Sequence, residues 1–204
     1  MKRLVIIGAS ALAREVYSYA CELGMEVRGF LDSRKNILDN YAGYPPILGA
    51  VEDFRFASED VCVCAVGDPD RRRHYVQIAQ TNGAQFTRII HPTAIIEHNA
   101  ICGLGSIIQP YVVVGSDARI GNHVFLGTHS CIGHDNRVDD FVTISPGCQV
   151  AGWVTLHSGT FLGIQSAVIP HVEIGTKETG VFVAAGAVVV NNVSKGLVKG
   201  VPAR

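Results

Sequence analysis

The sequence has no apolar run approaching the ~20 residues that a membrane-spanning helix needs, so no membrane partner is expected. It has no surplus of either charge. The formal net charge is −1, and nothing electrostatic draws such a chain to nucleic acid or to an anionic surface. Charged residues are scarce, at 17% against 48% hydrophobic. That leaves ample material for a core in one large domain or two small ones over 204 residues. There is no CxxC among the six cysteines, and Cys62 and Cys64 are neighbours on one strand face. This is the spacing of neither a disulfide framework nor a zinc knuckle, and a reducing cytoplasm is the expected setting.

What is present divides into two grammars. The opening stretch "MKRLVIIGASALAREV" has the basic start and apolar run of a short signal peptide. It reads better as a buried strand, Leu4 to Ile7, a turn at Gly8 and a helix from Ala11 to Leu23 capped by Ser10 and ended by Gly24. Glu26 to Leu31 is a second strand with Asp32 just past its end. "VCVCAVG" (61–67) is a third, apolar throughout as a strand covered on both faces should be. Asp68 then caps a helix that begins at Pro69 and closes at Gly83. Strands alternating with helices predict a parallel α/β sheet, Rossmann-like, over residues 1–88.

Over residues 89–204 the period becomes six. Every sixth residue from Ile96 to Ile174 is aliphatic except Cys102, through fourteen repeats. The residue four places on is usually small or β-branched, as at Ala100, Ser106 and Val112. Glycine recurs one place after the aliphatic residue, at 103, 115, 121, 127, 133, 163 and 175. This is the hexapeptide repeat of a parallel β-helix, in which three flat faces make one coil of a triangular prism. The aliphatic residue is expected inside, the small one at a corner, and the glycine where the chain bends. The phase slips after Ile174, and "TKETG" is expected to form a loop.

The chain resembles the bacterial sugar acetyltransferases that join a small Rossmann-like domain to a left-handed β-helix. That group includes nucleotide-amino-sugar N-acetyltransferases and sialic acid O-acetyltransferases. The segments that carry the likeness are "IIGAS" (6–10), "GFLD" (29–32), "AVGDPDRRR" (65–73), "IIHPTA" (89–94), "IGHD" (132–135), "ISPG" (144–147), "GIQSAVIP" (163–170) and "KGVPAR" (199–204). The resemblance implies a cytoplasmic homotrimer serving polysaccharide biosynthesis. In it, the N-terminal domain holds a sugar nucleotide and acetyl-CoA lies between neighbouring β-helices.

It further implies that His134 is the general base and that Asp135 orients it. Histidine suits the task because its ordinary pKa is near neutrality, and a carboxylate on the other ring nitrogen fixes the tautomer. Sequence logic alone leaves open whether the two side chains meet, since neighbours on a strand point apart and only a corner lets them converge. The bland alternative is a solvated His-Asp pair. Relatives often carry a second histidine where this chain has Thr143, and Thr143 cannot shuttle a proton at neutral pH.

By the same resemblance Gly8, Ser10, Asp32, Gly67 and Asp68 surround the nucleotide sugar. Leu12 stands where several relatives have histidine. "GASALA" (8–13) is a broken dinucleotide fingerprint, with Ser10 and Ala13 in place of two glycines, and an NAD site is the weaker reading. Of Arg71, Arg72 and Arg73, at most one is expected to reach a ligand, the run being otherwise a solvated face. Acetyl-CoA is expected along Thr143, Gly147, Gly152, Gly163, Ala185, Gly200 and Pro202, where small side chains let it approach the backbone. No metal is expected: none of His98, His123, His129, His134, His157 and His171 is one coil, 18 residues, from another. Cys131 is not expected to carry an acyl group. The function this implies is direct acetyl transfer from acetyl-CoA to the amine of a nucleotide-linked amino sugar. Sugar O-acetylation, a metal-dependent hydratase and a non-catalytic nucleotide-sugar scaffold are the alternatives.

Overall fold

A computed structural model describes residues 2–204. It divides into two compact units, Met1–Ile89 and Ile90–Arg204.

The first unit is a four-stranded parallel sheet flanked by helices. Its strands are β1 (Arg3–Ile7), β2 (Glu26–Leu31), β3 (Ile47–Gly49) and β4 (Asp60–Cys64), in the order β3-β2-β1-β4. Strands β1 and β4 are almost wholly buried, and each fully buried aliphatic side chain contributes about 1.5–3 kcal/mol. Helix α1 (Ala11–Glu22) follows β1 and α2 (Pro69–Thr81) follows β4. Gly24 and Gly83 lie just past the helix ends with φ of +68° and +88°, as helix-terminating glycines do. Asp68 caps α2 by accepting the Arg71 N–H at 2.8 Å. Ser10 occupies the N-cap position of α1, but its side chain makes no capping hydrogen bond. The edge strand β3 has no counterpart in the sequence reading.

The second unit is a left-handed parallel β-helix. Two-residue strands from Ile89–Ile90 to Leu197–Val198 assemble into seven-, six- and five-stranded sheets, met in that order along each coil. Partners across each ladder are one coil apart, as with Cys131 on Gln149 and Val113. The every-sixth aliphatic residues fill the interior, with Ile108, Leu126, Ile132, Ile144 and Leu162 fully buried.

The small residues four places on follow each turn directly, and Val112, Ala118, Val142, Cys148 and Ser166 are fully buried there. One expectation about the repeat is corrected: most of the recurrent glycines do not make the bends. Left-handed backbone falls two places later, at Asn99, Tyr111, Asp117, His123, His129, Asp135, Phe141, Trp153, Gln165 and His171. The glycines are needed because coils touch there. A Cβ on Gly115 would lie 2.7 Å from the Gly133 carbonyl carbon, and one on Gly127 would lie 2.5 Å from Pro146 N. Backbone cannot yield as a flexible side chain can. Gly127→Ala is therefore expected to cost roughly 2 kcal/mol through overpacking, read as a fall in Tm.

The phase slip is a loop, as expected. The interior residues Ile174 and Val183 are nine positions apart rather than six, with residues 175–181 between their strands. Beside this loop His157 clasps three successive coils. Its Nδ1 lies 3.0 Å from Asp139 Oδ2 and its Nε2 lies 2.6 Å from Glu173 Oε1.

Candidate functional site

Two places carry chemistry, one in each unit. In the first unit the C-terminal ends of β1, β2 and β4 open into a cavity of about 410 Å3. Open α/β sheets characteristically bind ligands at this edge. Its lining includes all five residues assigned to the sugar nucleotide: Gly8, Ser10, Asp32, Gly67 and Asp68. Leu12 is not part of it.

Asp32 organises this cavity. Its Oδ2 accepts the Ala9 N–H at 3.1 Å, and Arg34 clasps both oxygens, Nε on Oδ1 at 2.9 Å and Nη2 on Oδ2 at 2.8 Å. Burial favours the neutral acid, but the hydrogen bonds and charge of Arg34, with the Ala9 amide, outweigh it and hold the carboxyl below its ordinary range. Arg34, Glu52 and Tyr75 also line the cavity and were not singled out in the sequence. They lie on loops or a helix face without periodic signal.

The arginine run is not a single solvated face. Arg71 lines the cavity. Arg72 is 1% exposed and donates to the Val66 and Gly67 carbonyls at 2.7 and 3.0 Å. It thus ties down the loop that forms one cavity wall. Helix phase could have found it, since Arg72, Val76 and Ala79 are the buried stripe of α2.

In the second unit His134 and Asp135 occupy the corner between the six- and five-stranded sheets. Asp135 has φ of +57°, and this turn swings the two neighbours together, with His134 Nδ1 2.8 Å from Asp135 Oδ2. A carboxylate only accepts, so Nδ1 carries a proton, and in the neutral ring Nε2 then holds the lone pair. Both side chains are about half exposed. Gly152, one coil on, leaves room for this edge of the ring: a Cβ there would meet His134 Nε2 at 2.7 Å.

The remaining residues assigned to acetyl-CoA separate. Gly147, Gly163, Ala185, Gly200 and Pro202 follow strands of the seven-stranded sheet, along the edge between it and the six-stranded sheet. There the coils meet backbone to backbone: Gly147 N donates to Thr128 O, Gly163 N to Val183 O, and Gly186 N to Ile164 O. Ala185 and Gly200 are exposed, so this edge offers a side-chain-poor strip. Gly152 lies instead at the His134 corner. Thr143 is 2% exposed and belongs to the seven-stranded sheet, the prism face opposite that corner within one chain. Cys131 has its thiol pKa raised by burial and by Glu97, which opposes the thiolate that an acyl carrier needs. Among the described residues no three His, Cys, Asp or Glu side chains are placed to hold a metal ion. No helix of the described residues is long and apolar enough to cross a membrane.

A parallel α/β unit with an open cavity, followed by a left-handed β-helix with a paired histidine at a corner, defines the class. Solved acetyltransferases share this plan, and the chain is similar to them over its whole length. Residues 3–79 match the family model described as the PglD N-terminal domain. Among solved structures, PerB from Caulobacter crescentus in complex with CoA and GDP-perosamine superposes with a TM-score of 0.90 at 27% identity, covering 100% of this chain and 97% of that one. The acetyltransferase domain of PglB from Neisseria gonorrhoeae FA1090 gives 0.89 at 28% identity, covering 100% and 99%. A curated relative, the GDP-perosamine N-acetyltransferase of Escherichia coli O157:H7, is 27% identical over 99 residues, 48% of this chain and 45% of that protein. The chain spans less than half the length of the curated relatives it matches.

Proposed function

We propose that this protein transfers acetyl from acetyl-CoA to the amine of a nucleotide-linked amino sugar, with His134 as general base. The observation that carries this reading is the tethered imidazole. Nδ1 is committed to Asp135, leaving Nε2 as the basic nitrogen at an exposed corner. As the amine nitrogen bonds to the thioester carbonyl, Nε2 takes its proton. The C–S bond then breaks and the proton passes to the departing thiolate. The same reading assigns stabilisation of the oxyanion between these steps to backbone amides near the acetyl-CoA groove. Solved relatives that match over the whole chain support the substrates, since one is described with CoA and GDP-perosamine bound.

The nucleotide sugar occupies the cavity around Asp32, where Arg71 and the N-terminus of α2 suit a diphosphate. The thioester substrate runs along the bare edge of Gly147, Gly163, Ala185 and Gly200. That edge and the His134 corner lie on opposite sides of one prism face, and packing between subunits of a trimer brings them together. Asp32→Ala would release Arg34 and the Ala9 amide. It is expected to raise KM for the nucleotide sugar about tenfold, a change of ~1.4 kcal/mol, with kcat little altered.

The test is CoA-thiol release from acetyl-CoA with UDP-, dTDP- and GDP-linked amino sugars and with free and CMP-linked sialic acids. Turnover on one amino sugar, lost in His134→Ala, is the expected result. Turnover on sialic acids alone would assign O-acetylation instead.

A further inference from the structure

The corner that carries His134 recurs every coil, and its next two coils hold rings with no role in the steps above. Trp153 stands one coil beyond Asp135, and His171 one coil beyond Trp153. The indole meets the His134 imidazole edge to face, with centroids 4.4 Å apart and planes at 89°. It stacks on His171 at 5.0 Å with planes 6° apart. Trp153 N also donates to the His134 carbonyl at 3.1 Å. This placement is poor for stability. Trp153 is 52% exposed and has φ of +57°, left-handed backbone that costs a bulky residue about 1–2 kcal/mol. The earlier coils of the same column carry Asn99 and Asp117 at this position, side chains that accept it more readily.

We propose that Trp153, braced by His171, is a positioning residue for His134. Asp135 holds a single atom, Nδ1, and a ring held at one atom can still swing about that bond. The indole supplies the second contact, fixing the ring plane so that Nε2 stays over the gap left by Gly152. The proposal rests on His134 being the base.

A misplacement of about 1 Å at a reacting atom can cost up to ~10²-fold in rate. Trp153→Ala is therefore expected to lower kcat by roughly ten- to a hundredfold, with both KM values nearly unchanged. Trp153→Phe, which keeps a ring, restores most of the loss, and His171→Ala gives a smaller loss in the same direction. Ring 13C relaxation of His134 reads how far the imidazole swings, without turnover. Wild type and Trp153→Phe show a rigid ring, and Trp153→Ala shows a mobile one. A ring as rigid in Trp153→Ala as in wild type overturns the proposal whatever happens to kcat, as does a rise in sugar KM with kcat intact. If wild type acetylates no sugar, the functional reading fails, and the ring-mobility measurement still decides the positioning role.

Discussion

Replacing His134 with alanine is expected to lower kcat by roughly 10²–10⁴-fold, the usual contribution of a positioned general base. The fold should not suffer. His134 is half exposed and its side chain hydrogen-bonds Asp135 at the surface, so Tm should stay close to wild type. Asp135→Asn is the sharper control. An amide can present its NH2 where the carboxylate accepted, which favours the wrong tautomer of His134. It should therefore lose activity while keeping the imidazole in place. Steady-state thiol release on the best substrate of the panel measures both. A His134→Ala enzyme within threefold of wild type would reduce residues 134–136 to a solvated corner.

Arg72→Ala is expected to cost about 3–4 kcal/mol, the sum of a vacated core volume and two carbonyls stripped of a charged donor. Burial pulls the Arg72 pKa down to about 10, which still leaves the guanidinium charged at neutral pH. Its partners, the Val66 and Gly67 carbonyls, belong to the loop that walls the cavity. Nucleotide-sugar affinity should therefore fall along with Tm. Arg71→Ala should separate the two effects, since Arg71 is exposed and lines the same cavity. Its Tm should hold while affinity drops. Thermal melts with and without the nucleotide sugar read both variants, and an unchanged Tm in Arg72→Ala would remove the loop-tethering role.

The solenoid was legible because its interior repeats on a fixed period that no helix or ordinary strand keeps. The role of its glycines was not. The clash that excludes a Cβ at Gly115 comes from a residue 18 positions away, and sequence spacing alone does not say how closely two coils approach. Edge strand β3 was missed because three residues after Pro45 and Pro46 are too few to show alternation. The convergence of His134 on Asp135 depended on a left-handed corner residue, and aspartate tolerates that geometry without advertising it. The same 18-residue arithmetic that separated the histidines would have aligned Asp135, Trp153 and His171.

The ladder of one-coil partners has a consequence for how such a chain can change length. Up to Ile174, each residue's face of the prism is set by its position modulo eighteen. A gain or loss of six residues upstream of His134 would turn everything after it by one face and carry the His-Asp pair to a different corner. A gain of a whole coil would lengthen the prism and leave the pair on its own. The loop at 175–181 shows the other permitted edit, an outward excursion after which Val183 re-enters the interior against Leu162. Insertions and deletions in this molecule are thus quantised, and its site survives only edits that come as full turns or leave the prism altogether.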